Sequence, residues 1–421
     1  MNDVPSPPAA PHTVGRSPVE PLPGHGRGDS GGGIVLGASL ILIALNLRAA
    51  AAGVGPLLRE IVHALHLSAP SVSVFASLPT LLFGAAAPVA PLLARRIGTE
   101  WALLTALVLL TVGCAVRGFG AAPALFAGQI TAMAGIGLLN VLLPGFVKRE
   151  FPHRVGLMTG LYTTAFCLGA AGAAALAVPL AGWFGGSWRP ALSGWALPAA
   201  VATMVWALQL RPGQGTSLRG APHFAGVWRD AIAWQLLLFM GLQSALAYIV
   251  FSWLPAMLQD RGLSSVDAGF VLSLSAGAQG VACLAAPAVA IRGRDQRAVT
   301  VGSVGLSLLG LAGCFLFPLS GIWLWAVLLG LSQGALIALA LTLIVLRSGS
   351  PQATASLSGM AQCGGYLLAS AGPIVAGLLH EGLGGWYPVF LFCVALCAAA
   401  ATAGYGASRD RLVGGRRHIG G

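Results

Sequence analysis

Charge is what this chain has least of. Only 8% of its 421 residues are Asp, Glu, Lys or Arg, against roughly 25% in soluble globular proteins, which excludes an ordinary soluble domain. Acids are the scarcer sign, 12 against 23 bases. Asp3, Glu20, Asp29, Glu60, Glu100, Glu150, Asp230, Asp260, Asp267, Asp295, Glu381 and Asp410 all fall in a tail, in loops or at the ends of apolar runs. His63, His66, His153 and His380 read as loop residues. A relay of titratable groups at mid-membrane depth, the usual equipment of a proton-driven protein, is therefore not expected. There is no Gly-Lys-Ser/Thr phosphate loop, which argues against direct use of ATP. No nucleophile stands beside a base and no metal-ligand cluster is apparent, so neither an enzyme nor a cofactor is expected. Cys114, Cys167, Cys283, Cys314, Cys363, Cys393 and Cys397 lie inside apolar runs, as small packing residues rather than a disulfide framework.

What is abundant is apolar sequence, 56% of the chain. One membrane crossing needs about 20 apolar residues. Runs of that length are read at 34–58, 70–93, 101–118, 121–147, 156–183, 190–210, 231–258, 266–290, 298–317, 321–347, 352–379 and 386–406. The expected fold class is an all-α polytopic membrane protein with 12 transmembrane helices. Residues 1–33, rich in Pro, Gly and Ser, read as a disordered cytoplasmic tail with no cleavable signal. The net charge of +11 follows topology, not a nucleic-acid face. With the amino terminus in the cytoplasm, eighteen of the 23 cations lie on the cytoplasmic side, Arg59, Arg117, Arg189 and Arg261 lie outside, and Arg48 lies within the membrane. That is the positive-inside bias, and it puts both termini in the cytoplasm.

The two halves of the chain resemble each other at an offset of 196 to 199 residues. Leu67-Ser68 matches Leu263-Ser264, Arg95-Arg96 the cluster at Arg292, Gly160 Gly359, and Trp188 and Pro190 match Trp386 and Pro388. Residues 34–210 and 231–406 would form two six-helix bundles, 211–230 a cytoplasmic linker and 407–421 a second cytoplasmic tail. Parallel repeats of this kind describe the major facilitator architecture, with a solute site at the midplane between the halves and alternating access as the mechanism.

Arg48 is the most informative residue. It sits in the middle of the first run with no Asp, Glu, Lys or His beside it. An arginine at that depth costs about 2.5–3.5 kcal/mol on insertion scales and marks a solute or ion pathway. Other mid-depth polar residues are Asn46, Asn140, Tyr162, Thr163, Gln243, Tyr248, Gln279, Gln333, Gln362 and Tyr366. Spans one, four, seven and ten line the cavity in this architecture, which favours Arg48, Asn140, Gln243 and Gln333. The competing role for each amide is glue between helices, at about 0.6 kcal/mol apiece. Glycines of the fifth and eleventh spans, among them Gly156, Gly160, Gly169, Gly172, Gly364, Gly365, Gly372 and Gly377, offer close-approach faces for a sliding contact between halves or for static packing. Trp101, Trp188, Trp253 and Trp386 read as interfacial anchors.

Several stretches are familiar. Asn46-Leu47-Arg48, Gly53 to Leu58, Asn140 to Pro144, Lys148 to Pro152, Val155 to Thr164, Trp253-Leu254-Pro255, Leu339 to Arg347 and Ser358 to Gln362 together resemble the cyanate-permease and 2-nitroimidazole-transporter family of major facilitators. The resemblance covers about residues 34–406. It implies an inner-membrane permease for small compounds, acting as a monomer, and singles out Asn46, Arg48, Asn140 and Tyr162. Two departures stand out. Ala49 replaces the family's proline after the arginine, and the superfamily signature between spans two and three is reduced to Ala94-Arg95-Arg96-Ile97-Gly98-Thr99-Glu100, without the aspartate of the usual inner-gate ion pair.

The expected function is therefore secondary transport of a small anionic or planar polar solute, with the lipid bilayer as the other partner. Arg48 would attract the solute through its two-pronged donor geometry. Asn46, Asn140, Gln243, Gln333 and Gln362 would hydrogen-bond it, and Tyr162 and Tyr366 would shape the cavity. The alternatives are efflux of drug-like or amphiphilic compounds, against which the apparent shortage of cavity aromatics weighs, and solute sensing on a transporter frame.

Overall fold

A computed structural model describes residues 30–151, 154–210, 227–293, 295–349 and 351–414. The tail before residue 30, most of the expected linker and the last seven residues lie outside the described residues. The described chain is helical, and 12 of its segments are long and apolar enough to cross a membrane. Helices are the natural outcome, because every backbone N–H and C=O in hydrocarbon must find a partner within its own segment.

The first span is α1 (Ser30–Ala52) followed, after a tight turn at Gly55–Leu57, by α2 (Leu58–Leu65). It runs on beyond the expected end at residue 58, and Arg48 stays central in it. The break follows from Pro56, which brings no N–H to the helix ladder. Val54 N turns back to Ala51 O at 3.3 Å, leaving Ala50 O without a helix partner. The bend lies at Gly53–Pro56, while α1 passes unbroken through Ala49. The remaining spans are α3 (Ala69–Ile97), α4 (Thr99–Val116), α5 (Ala122–Glu150), α6 (Val155–Trp183), the pair α7 (Trp188–Ser193) and α8 (Ala196–Ala207), α9 (Ala231–Asp260), α10 (Ser265–Ala290), α11 (Arg297–Leu316), α12 (Ile322–Leu346), α13 (Pro351–Leu383) and α14 (Tyr387–Ala407).

The sequence repeat has a structural counterpart. Ser68 and Ser264 precede α3 and α10 with nearly the same backbone, φ −70 and ψ 152 against φ −63 and ψ 152. Helices α1 to α8 pack mainly on one another, as do α9 to α14, and the two bundles meet where α3 lies along α13 and α6 along α10. Near α2 this seam combines close backbone contacts with an open pocket of about 230 Å³ lined by Arg59, Val72, Trp253, Asp260 and Gly377 among others. A methyl group on Gly55 would stand 2.5 Å from Phe251 O, one on Gly269 2.8 Å from Ala174 O, and Gly377 backs onto Ser73 and Trp253. Arg59 pairs with Asp260 across it at 3.4 Å. Gly160, farther along α6, has only an ordinary contact with Leu284 at 3.4 Å.

Several expectations change here. Gly169 packs on Leu45, Gly364 on Leu237, Gly365 on Met240 and Gly372 on Ala245, each within its own bundle, whereas Gly160 and Gly377 face the other bundle at Leu284 and Ser73. Of the expected anchors, Trp188 and Trp253 are buried at 4% and 8% exposure, and Trp253 Nε1 donates to Pro373 O at 3.0 Å. His63 and His380 belong to α2 and α13 rather than to loops. Arg117 is not an outer-loop cation: it is fully buried.

Candidate functional site

Arg48 projects from α1 into the seam between the bundles. Its Nη1 donates to Gln279 Oε1 of α10 at 2.5 Å. Its guanidinium carbon lies 4.4 Å from the centre of the Phe166 ring and 5.1 Å from that of Phe251. Phe166 comes from the first bundle on α6, and Phe251 and Gln279 come from the second on α9 and α10. One cation thus joins both halves through a neutral dipole and two ring faces, contacts that favour a cation in a dry setting. Among the described residues no carboxylate forms an ion pair with it.

Backbone contacts hold these groups in place. Gly334 and Gly330 of α12 press directly on the carbonyls of Gln279 and Ser275, which fixes α10 and leaves the Gln279 side chain facing Arg48. Gly55 does the same for Phe251 O from the first bundle. Glycine is required at such points because any side chain would force the backbones apart. Arg117 supports the arrangement from behind. Its Nη1 donates to Ala50 O at 2.7 Å and to Gln129 Oε1 at 3.0 Å, and Nη2 to Cys114 Sγ at 2.8 Å. The carbonyl orphaned by the first-span break is therefore satisfied by a buried arginine, which clamps that break one turn from Arg48.

A small cavity of about 30 Å³ adjoins Arg48, lined among others by Phe75, Phe83, Gln129, Tyr248 and Phe251. A water molecule needs roughly 10–15 Å³ on this measure, so the cavity admits about two waters or a solute of a few atoms. Phe83 packs edge-on to both Tyr248 and Tyr366, at 6.0 and 5.8 Å between ring centres. The charge of Arg48 acts on both tyrosines. The expected shortage of cavity aromatics is thus overturned: aromatic rings surround the guanidinium.

The other sequence candidates are dispersed. Asn46, buried at 4% exposure, gives its amide to Leu42 O at 2.8 Å and to Pro198 O at 3.4 Å, away from Arg48. Gln243 bonds within α9 to Met240 O at 3.2 Å and Ser244 Oγ at 2.8 Å. Gln362 donates to Ser358 Oγ at 2.7 Å on its own helix. In this arrangement all three amides are engaged by neighbours other than Arg48. Asn140 and Tyr162 are half-buried, and Tyr162 packs against the first bundle's core. Gln333 is buried, and its amide nitrogen has no partner among the described residues. Tyr366 approaches the Arg48 cavity through Phe83, a ring that lines it. Gln279 and Tyr248 carried a mid-depth polar signal. Phe166 and Phe251 carried none, because an apolar ring in an apolar helix is indistinguishable from packing. Gln129 and Arg117 were hidden by the apparent loop position of the arginine.

The stretch lacking the superfamily aspartate still forms an ion pair. Its last residue, Glu100, accepts from Arg149 Nη2 at 2.5 Å.

Residues 39–370 match the pattern of the Major Facilitator Superfamily. The chain belongs to that superfamily. Among curated proteins it is 38% identical to an uncharacterized transporter of Bacillus subtilis, YycB, over 89% of this chain and 93% of that one. It is 37% identical to the 2-nitroimidazole transporter of Escherichia coli over 90% and 97%, and 29% identical to the cyanate transport protein CynX of the same organism over 81% and 89%. Solved structures agree on the fold alone. A D-xylose–proton symporter superposes with a TM-score of 0.67 at 15% identity over 90% of this chain and 98% of that one. A bacterial homologue of the lysosomal transporter Spinster gives 0.68 at 14% over 90% and 94%. This chain is thus a multi-pass membrane protein of a transporter superfamily, and two of these relatives are named for small solutes.

Proposed function

We propose that this major facilitator is a secondary transporter, not an enzyme, and moves a small planar solute carrying negative charge or electron-rich oxygens by alternating access. The observation that carries the reading is the setting of Arg48, a cation with no carboxylate partner among the described residues, held between the bundles by Gln279 and two phenylalanine rings. Gln279 is a neutral acceptor. A solute oxyanion adds ionic attraction that Gln279 cannot offer, and the fork of a guanidinium can hold it with two parallel bonds. Such a solute competes for Arg48 at the point where the halves are joined. Flat rings on either side suit a flat cargo. Relatives named for nitroimidazole and cyanate share these properties in their cargo. The cavity of about 30 Å³ suits a solute of cyanate size as it stands, and a heterocycle needs the seam to open.

Both termini face the cytoplasm of the plasma membrane in this reading, supported by the one-sided distribution of Lys and Arg. The 34–210 and 231–406 bundles are its moving parts. The acids and histidines of the described residues lie at span ends, which supports facilitated diffusion, exchange or a proton carried with the solute over a protein relay. Export of aromatic drug-like compounds is the second reading, favoured by the rings around Arg48 and opposed by the small cavity.

The test is solute flux in proteoliposomes, wild type against Arg48→Ala and Arg48→Lys. The panel holds cyanate, small carboxylates and nitroimidazoles, with and without a pH gradient. Flux that is lost in both variants supports the reading. Flux of every solute that ignores Arg48 overturns it, and flux confined to large aromatics moves the assignment to export.

A further inference from the structure

Two thiols that the transport reading does not use meet across the seam. Cys167 lies on α6 in the first bundle and Cys283 on α10 in the second. Gly280 makes their approach possible: a side-chain carbon at that position would lie 3.0 Å from Cys167 Cβ and 3.6 Å from its Sγ. Cys283 follows Gly280 by three residues, one turn along the same helix face. That turn sets the two thiols side by side where α6 lies along α10, and Cys283 Sγ donates to Gly334 O at 3.4 Å. Cys167 is 2% exposed and Cys283 half-buried. The remaining cysteines offer no equivalent. Cys393 and Cys397 share α14, so a bond between them ties nothing to anything else. Cys114 is engaged by Arg117.

We propose that Cys167 and Cys283 form an oxidation site whose disulfide staples the two bundles together beside Arg48 and stops alternating access. The co-reactant is a small membrane-permeant two-electron oxidant of the diazene class, such as diamide. One thiol adds across the N=N bond, its sulfur bonding one nitrogen and its proton passing to the other. The second thiolate attacks that sulfur, the S–N bond breaks, and the S–S bond forms. The displaced nitrogen takes the second proton. Two thiols are oxidised, and one diazene is reduced to a hydrazine. A disulfide holds its Cα atoms within about 7 Å, so any motion that parts α6 from α10 at this depth is blocked.

The cross-link itself does not depend on the transport reading, whereas its effect on flux does. A full-length chain carrying a protease site within residues 211–226 is treated with diamide in membranes, cleaved, and run on a denaturing gel without reductant. Oxidised wild type stays one band, falls into two with dithiothreitol, and gives two bands in Cys167→Ser and Cys283→Ser. Halves that separate after oxidation, or that stay joined in Cys167→Ser, overturn the site. In proteoliposomes diamide lowers wild-type flux at least tenfold, dithiothreitol restores it, and Cys167→Ala is insensitive. A complete cross-link with unchanged flux overturns the staple. Cross-linking in a protein for which no solute yields flux at all leaves the site standing and counts against the transport reading alone.

Discussion

Arg149 in the first bundle and Arg347 in the second stand 198 residues apart, and each ties together the same corner of its own half. Arg149 meets the carboxylates of Glu100 at 2.5 Å and Glu150 at 2.9 Å, with its side chain 30% exposed. Arg347 is buried at 2% exposure. It donates to Gln296, the counterpart of Glu100 at an offset of 196, to Ala407 O at 3.1 Å and to Ser408 O at 2.8 Å. Its carboxylate, Asp410, is farther off at 3.7 Å. Burial lowers the Arg347 guanidinium from its ordinary value, and Asp410 and Asp295 oppose that shift. The same division recurs at the seam, where the first bundle brings the charge, Arg48, and the second brings the neutral dipole, Gln279. The repeat has kept positions and architecture while the kind of polar partner has diverged. Charges in one half and dipoles in the other still fit one plan, because a guanidinium accepts either a carboxylate or several carbonyls as partner.

The comparison breaks most sharply at the seam. Arg48→Ala is expected to cut flux about 100-fold, toward the upper end of the ~1.5–3 kcal/mol of a charged hydrogen bond, while Gln279→Ala cuts it about 10-fold, since the solute replaces Gln279 as the acceptor from Arg48. Equal losses in the flux assay would show that the two halves contribute alike. The next effect is on stability. Arg347→Met orphans buried acceptors at Gln296, Ala407 and Ser408 and should cost about 3 kcal/mol, read as a lowered Tm in detergent. Gly169→Ala forces Leu45 O away within the first bundle and should cost about 1–3 kcal/mol, whereas Gly55→Ala, between the bundles, should spare Tm and open the α2 end to a water-soluble thiol label placed there. Arg149→Met sits below these at under about 1 kcal/mol, since a part-exposed ion pair is screened by solvent. Smallest of all, Gln296→Glu makes the two corners alike and should move Tm by no more than about 1 kcal/mol, because the added attraction is offset by burying a second charge. A large gain there would show that the dipolar corner is merely an imperfect copy of the charged one.

Particular residues show how far reading the chain could go. The span count came from run length, and the matched Ser68 and Ser264 turn out to start α3 and α10 alike. Arg48 was legible because a cation has no other business at that depth. Asn46 and Gln243 were legible as polar, but not which way they faced. An amide in a helix can reach the carbonyl one turn back, and that is where each was found. Arg117 misled because its Cα lies at a span end while its side chain runs back into the bundle to Ala50 O.

By itself the sequence determined the class of the protein, its twelve crossings, its internal repeat and the one charge at the centre of the first span. All of these are consequences of composition along a line, since a bilayer reads hydrophobicity segment by segment. Only the tertiary structure decided that Gln279, Phe166 and Phe251 share Arg48, that Arg117 clamps the first-span break, and that Cys167 faces Cys283. Those facts depend on the rotation of each helix about its own axis. That rotation is fixed by glycine contacts with neighbouring backbones, and no single helix carries it alone.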